Sequence, residues 1–155
     1  MSQIEPATLP KSERLHSLGA VRRLFTDGDS GFVYPFRYNV FIESSTSPSV
    51  EVLFSVPKRN HKRANKRNLL RRRTKEAYRL NKSTLCAIAE AKDLGVDISF
   101  VYSSKEVLPY KTIANAVCKA RHEMEVVLSA LYSCVSHTFT QCHQAFVCII
   151  PILIP

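Results

Sequence analysis

The sequence contains no tryptophan, only four glycines and no apolar run of membrane-spanning length. The longest strongly apolar run, Ala145 to Pro155, is about half of the roughly 20 residues that a membrane-spanning helix needs. Glycine scarcity, with 45% apolar and 23% charged residues, argues against a collagen-like, disordered or low-complexity chain. The 155 residues are therefore expected to form one globular domain that does not enter a membrane.

The chain also lacks the features of an exported protein. Met1 to Lys11 has no apolar run behind a basic stretch, so we expect no secretory signal and a cytoplasmic location. An odd number of cysteines, five, favours reduced thiols over a disulfide framework.

Acidic residues are almost absent from one segment. Between Pro57 and Lys82, twelve Lys and Arg residues accompany a single acid, Glu76. That segment carries +11 whereas the whole chain carries +9, so the remainder is slightly acidic. A concentration of positive charge in one element favours a polyanionic partner, because binding to phosphates releases counterions.

The spacing within this segment predicts an α-helix. Cations recur every four residues and would form one row along the helix: Arg63, Arg67, Arg71, Lys75 and Arg79. The apolar residues predicted to face the core are Leu69, Leu70, Ala77 and Leu80. A merely solvated helix face usually has interspersed glutamates, so the pattern favours a surface for a polyanion.

The remaining pattern predicts an α+β fold, a two-layer sandwich in which helices cover a small sheet in the order α-β-β-α-β-α. The serine-rich link from Ser44 to Ser49 predicts a hairpin-like connection between the first two strands. The elements predicted around the basic helix are a helix over Lys11–Phe25 with Ser12 as its N-cap, strands over Phe32–Glu43 and Val50–Val56, a helix over Thr84–Leu94 that stops at Gly95, a strand over Asp97–Tyr102 and an amphipathic helix over Ile113–Leu131.

Two terminal segments are predicted to lie outside the domain formed by residues 11–131. Residues 1–10 form an N-terminal extension, and residues 132–155 form a tail without any Lys, Arg, Asp or Glu. The tail holds Cys134, His137, Cys142 and His143, but their spacing fits no standard zinc pattern, so no metal site is predicted.

No set of protein catalytic groups is evident. Asp27 and Asp29 flank Gly28, a composition typical of a turn. The histidines His16, His61 and His122 lack a spaced carboxylate or serine partner that would indicate a triad or a general base.

Three stretches resemble the signature of the bacterial ribonuclease P protein family: Phe54-Ser-Val-Pro-Lys58-Arg59, Lys62-Arg63-Ala64 and Arg67-Asn68-Leu-Leu-Arg71-Arg72-Arg73-Thr-Lys75-Glu76-Ala77-Tyr78-Arg79. Lys11-Ser-Glu-Arg-Leu15, followed by Leu24-Phe25 and Gly28, is similar to the family's opening. The resemblance extends from about Leu9 to Leu131.

This resemblance implies a left-handed crossover at the basic helix and an accessory role in a ribonucleoprotein enzyme. In that family an RNA subunit cleaves precursor tRNA to release its 5′ leader, using magnesium held mainly by RNA phosphates. The implied partners are the catalytic RNA and precursor tRNA, with no DNA and no membrane.

The resemblance also implies two sets of site residues. Arginine suits RNA phosphates because it donates bidentately and stacks on bases. The expected contacts with the RNA subunit are Arg67, Asn68, Arg71, Arg72 and Lys75, supported by Lys58, Arg59, Lys62, Arg63 and Lys66. The expected leader-binding residues, in a cleft between the sheet and the first helix, are Phe25, Phe36, Arg37 and Asn39. For the two phenylalanines, core packing is the alternative.

The chain departs from the family pattern at several places, among them Val21, where an aromatic residue is frequent. Leu69 stands where the second motif arginine is common, so that contact is lost or moved to Arg73. Asn60-His61 replaces a glycine, with one extra residue.

The alternative function is a non-enzymatic basic RNA-binding module such as a ribosomal protein. The basic row fits both functions, whereas the combination of the three motifs favours the ribonuclease P family. DNA recognition is disfavoured because Asn65 and Asn68 are the few base-reading side chains on the row.

Overall fold

Residues 8–135 of the computed structural model are described, with side chains as far as residue 130, and they form four β-strands and four α-helices. The α+β class predicted from the sequence is confirmed. In chain order the elements are a short 3₁₀ turn (Lys11–Glu13), α1 (Leu18–Thr26), β1 (Asp29–Val33), β2 (Phe36–Ser44), β3 (Ser49–Ser55), α2 (Ala64–Asn81), α3 (Ser83–Ala91), β4 (Leu94–Tyr102) and α4 (Tyr110–Val135).

The strands form one sheet in the order β1-β2-β4-β3. β1 pairs antiparallel with β2, β2 pairs antiparallel with β4, and β3 pairs parallel with β4. The hairpin predicted across Ser44 to Ser49 is therefore wrong, because β4 lies between the two strands that this link joins. The link passes the start of β4, where the Ser45 amide donates to the Asp93 carbonyl oxygen at 2.9 Å.

The first predicted strand is divided by a turn. β1 ends at Val33, Tyr34 and Pro35 form the turn, and β2 begins at Phe36. Proline has no amide hydrogen to donate to a strand partner, which favours a turn at this position.

One face of the sheet forms the hydrophobic core. The alternation predicted for β3 is confirmed, with Val50 and Val52 buried and Phe54 packed against the core. An aromatic cluster occupies this face with ring centroids 5.5 to 6.0 Å apart, and its members are Phe36, Phe54, Tyr78, Phe100 and Tyr102. Helices α2 and α4 pack together over this face.

Helices α2 and α3 connect the parallel strands β3 and β4. Adjacent parallel strands require such a crossover, since a tight turn cannot return the chain to the same end of the sheet. The handedness of this crossover stays a prediction.

The first helix begins later in the structure than the predicted start at Lys11. Arg14 forms a parallel bridge with Val52, and the Leu15 amide donates to the Val52 carbonyl oxygen at 3.2 Å. The chain is extended at this point because it pairs with the edge of the sheet. α1 therefore begins at Leu18 with Ser17 as its N-cap, not Ser12.

Helix α3 ends at Ala91 and not at the predicted Gly95. The reversal occurs at Asp93, whose φ of 50° lies in the left-handed region. Aspartate tolerates this conformation better than most residues. Gly95 already belongs to β4, which begins three residues earlier than predicted.

The final helix presents the predicted apolar stripe. The residues of the stripe that are buried are Ile113, Val117, Ala120, Met124 and Leu128. α4 reaches Val135, four residues beyond the predicted domain boundary. The remaining tail, including His137, Cys142 and His143, lies outside the described residues, so the domain boundary stays a prediction. Among residues 8–135, no helix is long and apolar enough to cross a membrane.

Candidate nucleic-acid interface

The basic segment forms an exposed loop that leads into α2. We call the loop from Lys58 to Arg63 the basic loop. It and the first turns of α2 present exposed cations on a continuous stretch of chain: Lys58, Arg59, Lys62, Arg63, Lys66, Arg71 and Arg72. Asn68 is also exposed, whereas Arg67 and Lys75 are half-buried. The predicted RNA-contacting residues are thus brought together, and eight of the ten are exposed.

The apolar face of α2 differs from the prediction. Leu70 and Ala77 are buried as expected, but Leu69 and Leu80 are exposed. Thr74 and Tyr78 complete the buried face, with the Thr74 hydroxyl donating to the Leu70 carbonyl oxygen at 2.9 Å. A threonine can be buried here because the helix backbone satisfies its hydroxyl group.

The predicted row of cations is not uniform. Arg79 forms a bidentate pair with Glu76, and this hydrogen bond holds the pKa of the Glu76 carboxyl below its usual value. Arg73 donates to the Leu108 carbonyl oxygen at 2.6 Å. These two guanidinium groups bind within the protein, so Arg73 does not simply replace the contact missing at Leu69.

Arg67 is also used within the fold. Its Nη1 donates to the carbonyl oxygens of His61 at 3.0 Å and Lys62 at 2.6 Å. The motif arginine therefore fixes the end of the basic loop against the first turn of α2. Arg71 and Arg72, one turn later, extend towards solvent.

Asn60 and His61 anchor the other side of the basic loop. The Asn60 side-chain amide donates to the Ser103 carbonyl oxygen at 2.9 Å. His61 is buried, its Nε2 lies 3.1 Å from the Ser104 carbonyl oxygen, and its ring packs against Tyr102. The residues that replace the family's glycine hold the loop to the end of β4. Sequence reasoning missed this role, since the bonds join residues more than 40 positions apart.

The second predicted set, for leader binding, is only partly brought together. Phe25 on α1 is 47% exposed, as a stacking residue requires. Arg37 is exposed, whereas Asn39 is buried, with its Oδ1 accepting from the Ser99 hydroxyl at 3.5 Å. Because side chains alternate along a strand, Arg37 and Asn39 share one face of β2. This face is opposite to the hydrophobic core.

Phe36 is a correction. It is 1% exposed and contacts the rings of Phe100 and Tyr102 edge-on, at 5.9 and 5.5 Å. One residue from Arg37, it points to the opposite face of the sheet. Phe36 is therefore a core residue and is not available to stack on a base.

Helix α1 contacts the face of the sheet that carries Arg37 and Asn39. Arg23 on α1 forms an ion pair with Glu43 at 2.9 Å and lies over the Phe41 ring at 5.4 Å. These contacts close one end of the space between α1 and the sheet, because the guanidinium covers the ring. Arg37 lies towards the other end of β2, where the face remains open to solvent.

Acidic residues lie at the closed end. Asp97 and Glu51 occupy adjacent register positions beside Phe41 on the same face. Burial, followed by the neighbouring charge of Glu51, raises the pKa of the Asp97 carboxyl above its usual value. Polyanion binding is therefore favoured at the open end.

Two exposed aromatic residues were missed by sequence reasoning. Phe32 is 61% exposed and Tyr34 is 56% exposed, on the hairpin between β1 and β2. The signal that could have found them is the Tyr34-Pro35 dipeptide, because a proline within a strand pattern indicates a turn.

A resident metal has no evident ligand set in the described part of the chain. Among residues 8–135, no group of three or more His, Cys, Asp or Glu side chains is arranged to hold a metal ion. The described residues therefore do not form a magnesium site by themselves.

Comparisons with known proteins agree on one family. The family model described as Ribonuclease P matches residues 9–125. A ribonuclease P protein component of Porphyromonas gingivalis is 36% identical over 119 residues, which cover 74% of this chain and 86% of that protein. The Chlorobium phaeobacteroides protein of the same description is 28% identical over 137 residues, covering 81% and 94%.

The fold is also similar to a solved structure. The Staphylococcus aureus RNase P protein at 2.0 Å superimposes with a TM-score of 0.58 and 19% identity, covering 76% of this chain and 96% of that one. At this identity the likeness concerns the fold.

Proposed function

We propose that this chain serves as the accessory protein to a catalytic RNA, since it belongs to the ribonuclease P protein family and is a subunit of ribonuclease P. In this role it assists removal of the 5′ leader from precursor tRNA in the cytoplasm. One observation carries the proposal: the molecule has two separate surfaces. The first is the exposed basic loop with α2, and the second is the partly open sheet face that carries Arg37.

The basic loop and the exposed cations of α2 are assigned to the catalytic RNA. Arg71 and Arg72 lie on the solvent side of α2, where their guanidinium groups can reach phosphate oxygens. Lys58, Arg59 and Lys62 extend the same surface along the loop. Arg67 supports this surface mainly by holding the basic loop in position, since its Nη1 donates to two carbonyl oxygens of the loop.

The sheet face beside α1 is assigned to the leader. A single strand needs aromatic surfaces for its bases and cations for its phosphates. Phe25 supplies an exposed ring and Arg37 an exposed guanidinium. Asn39, which is 8% exposed, lies at the floor of this face, and its Oδ1 accepts from the buried Ser99 hydroxyl.

Magnesium is assigned to the RNA. We propose that RNA phosphates hold the ions and that the protein acts by binding and orienting the two RNA molecules. Cleavage of the phosphodiester bond is therefore assigned to the RNA subunit and its ions, and no protein residue takes part in that step.

The alternative, a ribosomal-type RNA-binding module, is not favoured. The basic segment alone would fit it, but the family match covers the opening motif, the strand end and α2 together.

Salt-dependent binding of the cognate catalytic RNA tests the assignment. Each phosphate contact that is removed should lower the slope of log affinity against log salt by about 0.7 to 0.9. We expect Arg71→Ala with Arg72→Ala to reduce the slope by about 1.5. Lys111→Ala with Lys119→Ala, which removes two cations from α4, should leave the slope unchanged. Equal losses in the two pairs would contradict the assignment to α2.

A second binding experiment tests the assignment of the leader to the sheet face beside α1. Affinity for precursor tRNA is compared with affinity for mature tRNA that lacks the leader. Phe25→Ala and Arg37→Ala should reduce the difference between the two and leave affinity for mature tRNA unchanged. An undiminished difference would exclude this face as the leader site.

A further inference from the structure

The hairpin between β1 and β2 exposes two aromatic rings that pack against no core. Phe32 is 61% exposed and Tyr34 is 56% exposed, two residues apart. Isolated exposed aromatic residues are common, but two neighbouring rings beside positive charge form the pattern that single-stranded nucleic acid recognises.

A cation accompanies the first ring. Phe32 is the register partner of Arg37 across the β1–β2 pair. Directly opposite side chains share a face and have Cβ atoms about 5 Å apart. The exposed Arg37 therefore lies next to the Phe32 ring.

The second ring lies beside the basic loop. The Tyr34 hydroxyl and the Ser104 hydroxyl are 3.2 Å apart. The Ser104 carbonyl oxygen lies 3.1 Å from Nε2 of His61. Ser104 is thus contacted by both the hairpin and the basic loop, which places the Tyr34 ring next to this loop.

We propose that Phe32 and Tyr34 form a stacking site for unpaired bases of an RNA whose phosphates lie along the basic loop. This inference deepens the proposed function, because the choice of RNA as the partner rests on that function. A base paired within a duplex cannot stack on these rings, because its faces are already covered. The site therefore selects unpaired nucleotides. It adds a base contact between the basic loop and the sheet face that is assigned to the leader.

A fluorescence experiment reads the stacking directly. The natural chain has no tryptophan, so Phe32→Trp introduces a single reporter on an exposed position. The probes are a single-stranded oligoadenylate and an abasic oligonucleotide of the same length. We expect the oligoadenylate to quench the tryptophan and the abasic strand to leave it unchanged while still binding. Val126→Trp, an exposed position on α4, should respond to neither probe.

Affinity provides the second readout. Phe32→Ala and Tyr34→Ala should each weaken oligoadenylate binding by about tenfold, in line with one lost stacking contact, without changing affinity for the abasic strand. Tyr34→Phe keeps the ring and loses the Ser104 contact, so it should bind almost normally. Tyr110→Ala removes an exposed tyrosine elsewhere and should have no effect. Circular dichroism checks that each variant is folded.

The outcomes separate the two proposals. Normal oligoadenylate affinity of the alanine variants, without quenching at Phe32→Trp, would overturn the stacking site while RNA binding by the basic loop stands. Equal quenching by a duplex would also overturn it. Failure of the natural protein to bind any RNA would overturn both.

Discussion

Nη1 of Arg67 donates a hydrogen bond to the backbone carbonyl oxygen of His61 at 3.0 Å. His61 in turn contacts the Ser104 carbonyl oxygen beyond β4. The motif arginine is therefore joined to the sheet through the basic loop. The surface offered to RNA depends on this connection as well as on the charges that it presents.

Arg67→Lys tests the structural part of this role. Lysine keeps the charge, but its side chain is one bond shorter, so its ammonium group does not reach the position from which Nη1 donates to both carbonyl oxygens. We expect the free energy of unfolding to fall by about 1.5 to 3 kcal/mol, the value of a charged hydrogen bond, measured by urea denaturation. Lys66→Ala, an exposed neighbour, should change it by less than about 0.5 kcal/mol. Equal midpoints for Arg67→Lys and the natural protein would contradict this role.

Phe36→Ala tests the assignment of this residue to the core. Because its ring is 1% exposed and contacts two other rings, its removal should cost about 3 to 5 kcal/mol of unfolding free energy. Phe32→Ala, on the neighbouring strand and exposed, is the matched control and should cost less than about 0.5 kcal/mol. A small cost for Phe36→Ala would return Phe36 to the candidate binding residues.

Gly28→Ala should destabilise the turn between α1 and β1. A Cβ at this position would overlap the Leu24 carbonyl oxygen and lie 2.9 Å from that of Val40. These are backbone atoms that move only if α1 or β2 shifts, so we expect a loss of about 1 to 3 kcal/mol. At Gly19, in the described part of the chain, the nearest atom to a Cβ would be the Ser17 hydroxyl oxygen at 3.8 Å, and Gly19→Ala should stabilise α1 by about 0.5 to 1 kcal/mol. Thermal unfolding distinguishes the opposite signs.

Asp97 should make the stability depend on pH. Burial, then the charge of Glu51, raises the pKa of its carboxyl above the ordinary value of 3.8. The folded state therefore holds this proton more tightly than the unfolded state, and stability decreases as pH rises from 3.8 through the raised pKa. We expect Asp97→Asn to be more stable than the natural protein at neutral pH, with the gain disappearing below pH 3.8. A gain that is constant across this range would contradict the titration of Asp97 as its cause.

Local patterns in the sequence predicted much of the fold. The apolar stripe of α4 and the alternation in β3 depend on residues that are close in the chain, so periodicity reveals them. The basic character of α2 is equally local. The hairpin-like connection between β2 and β3 was mispredicted because the insertion of β4 between these strands depends on pairing between distant residues.

The candidate site was predicted in part for the same reason. Exposed cations such as Arg71 and Arg72 follow from composition and spacing. The positioning bonds of Asn60 and His61 do not, since their partners are residues 102–104. Phe36 was misplaced although strand alternation alone forbids Phe36 and Arg37 from sharing a face.

The most direct test of the central claim is cleavage of a precursor tRNA at low magnesium by the cognate catalytic RNA, with and without this protein. We predict that the protein accelerates cleavage only when the RNA is present, and that Arg67/Arg71/Arg72→Ala reduces the acceleration whereas Lys111/Lys119→Ala does not. Cleavage by the protein alone, or no acceleration by a protein that still binds the RNA, would contradict the account.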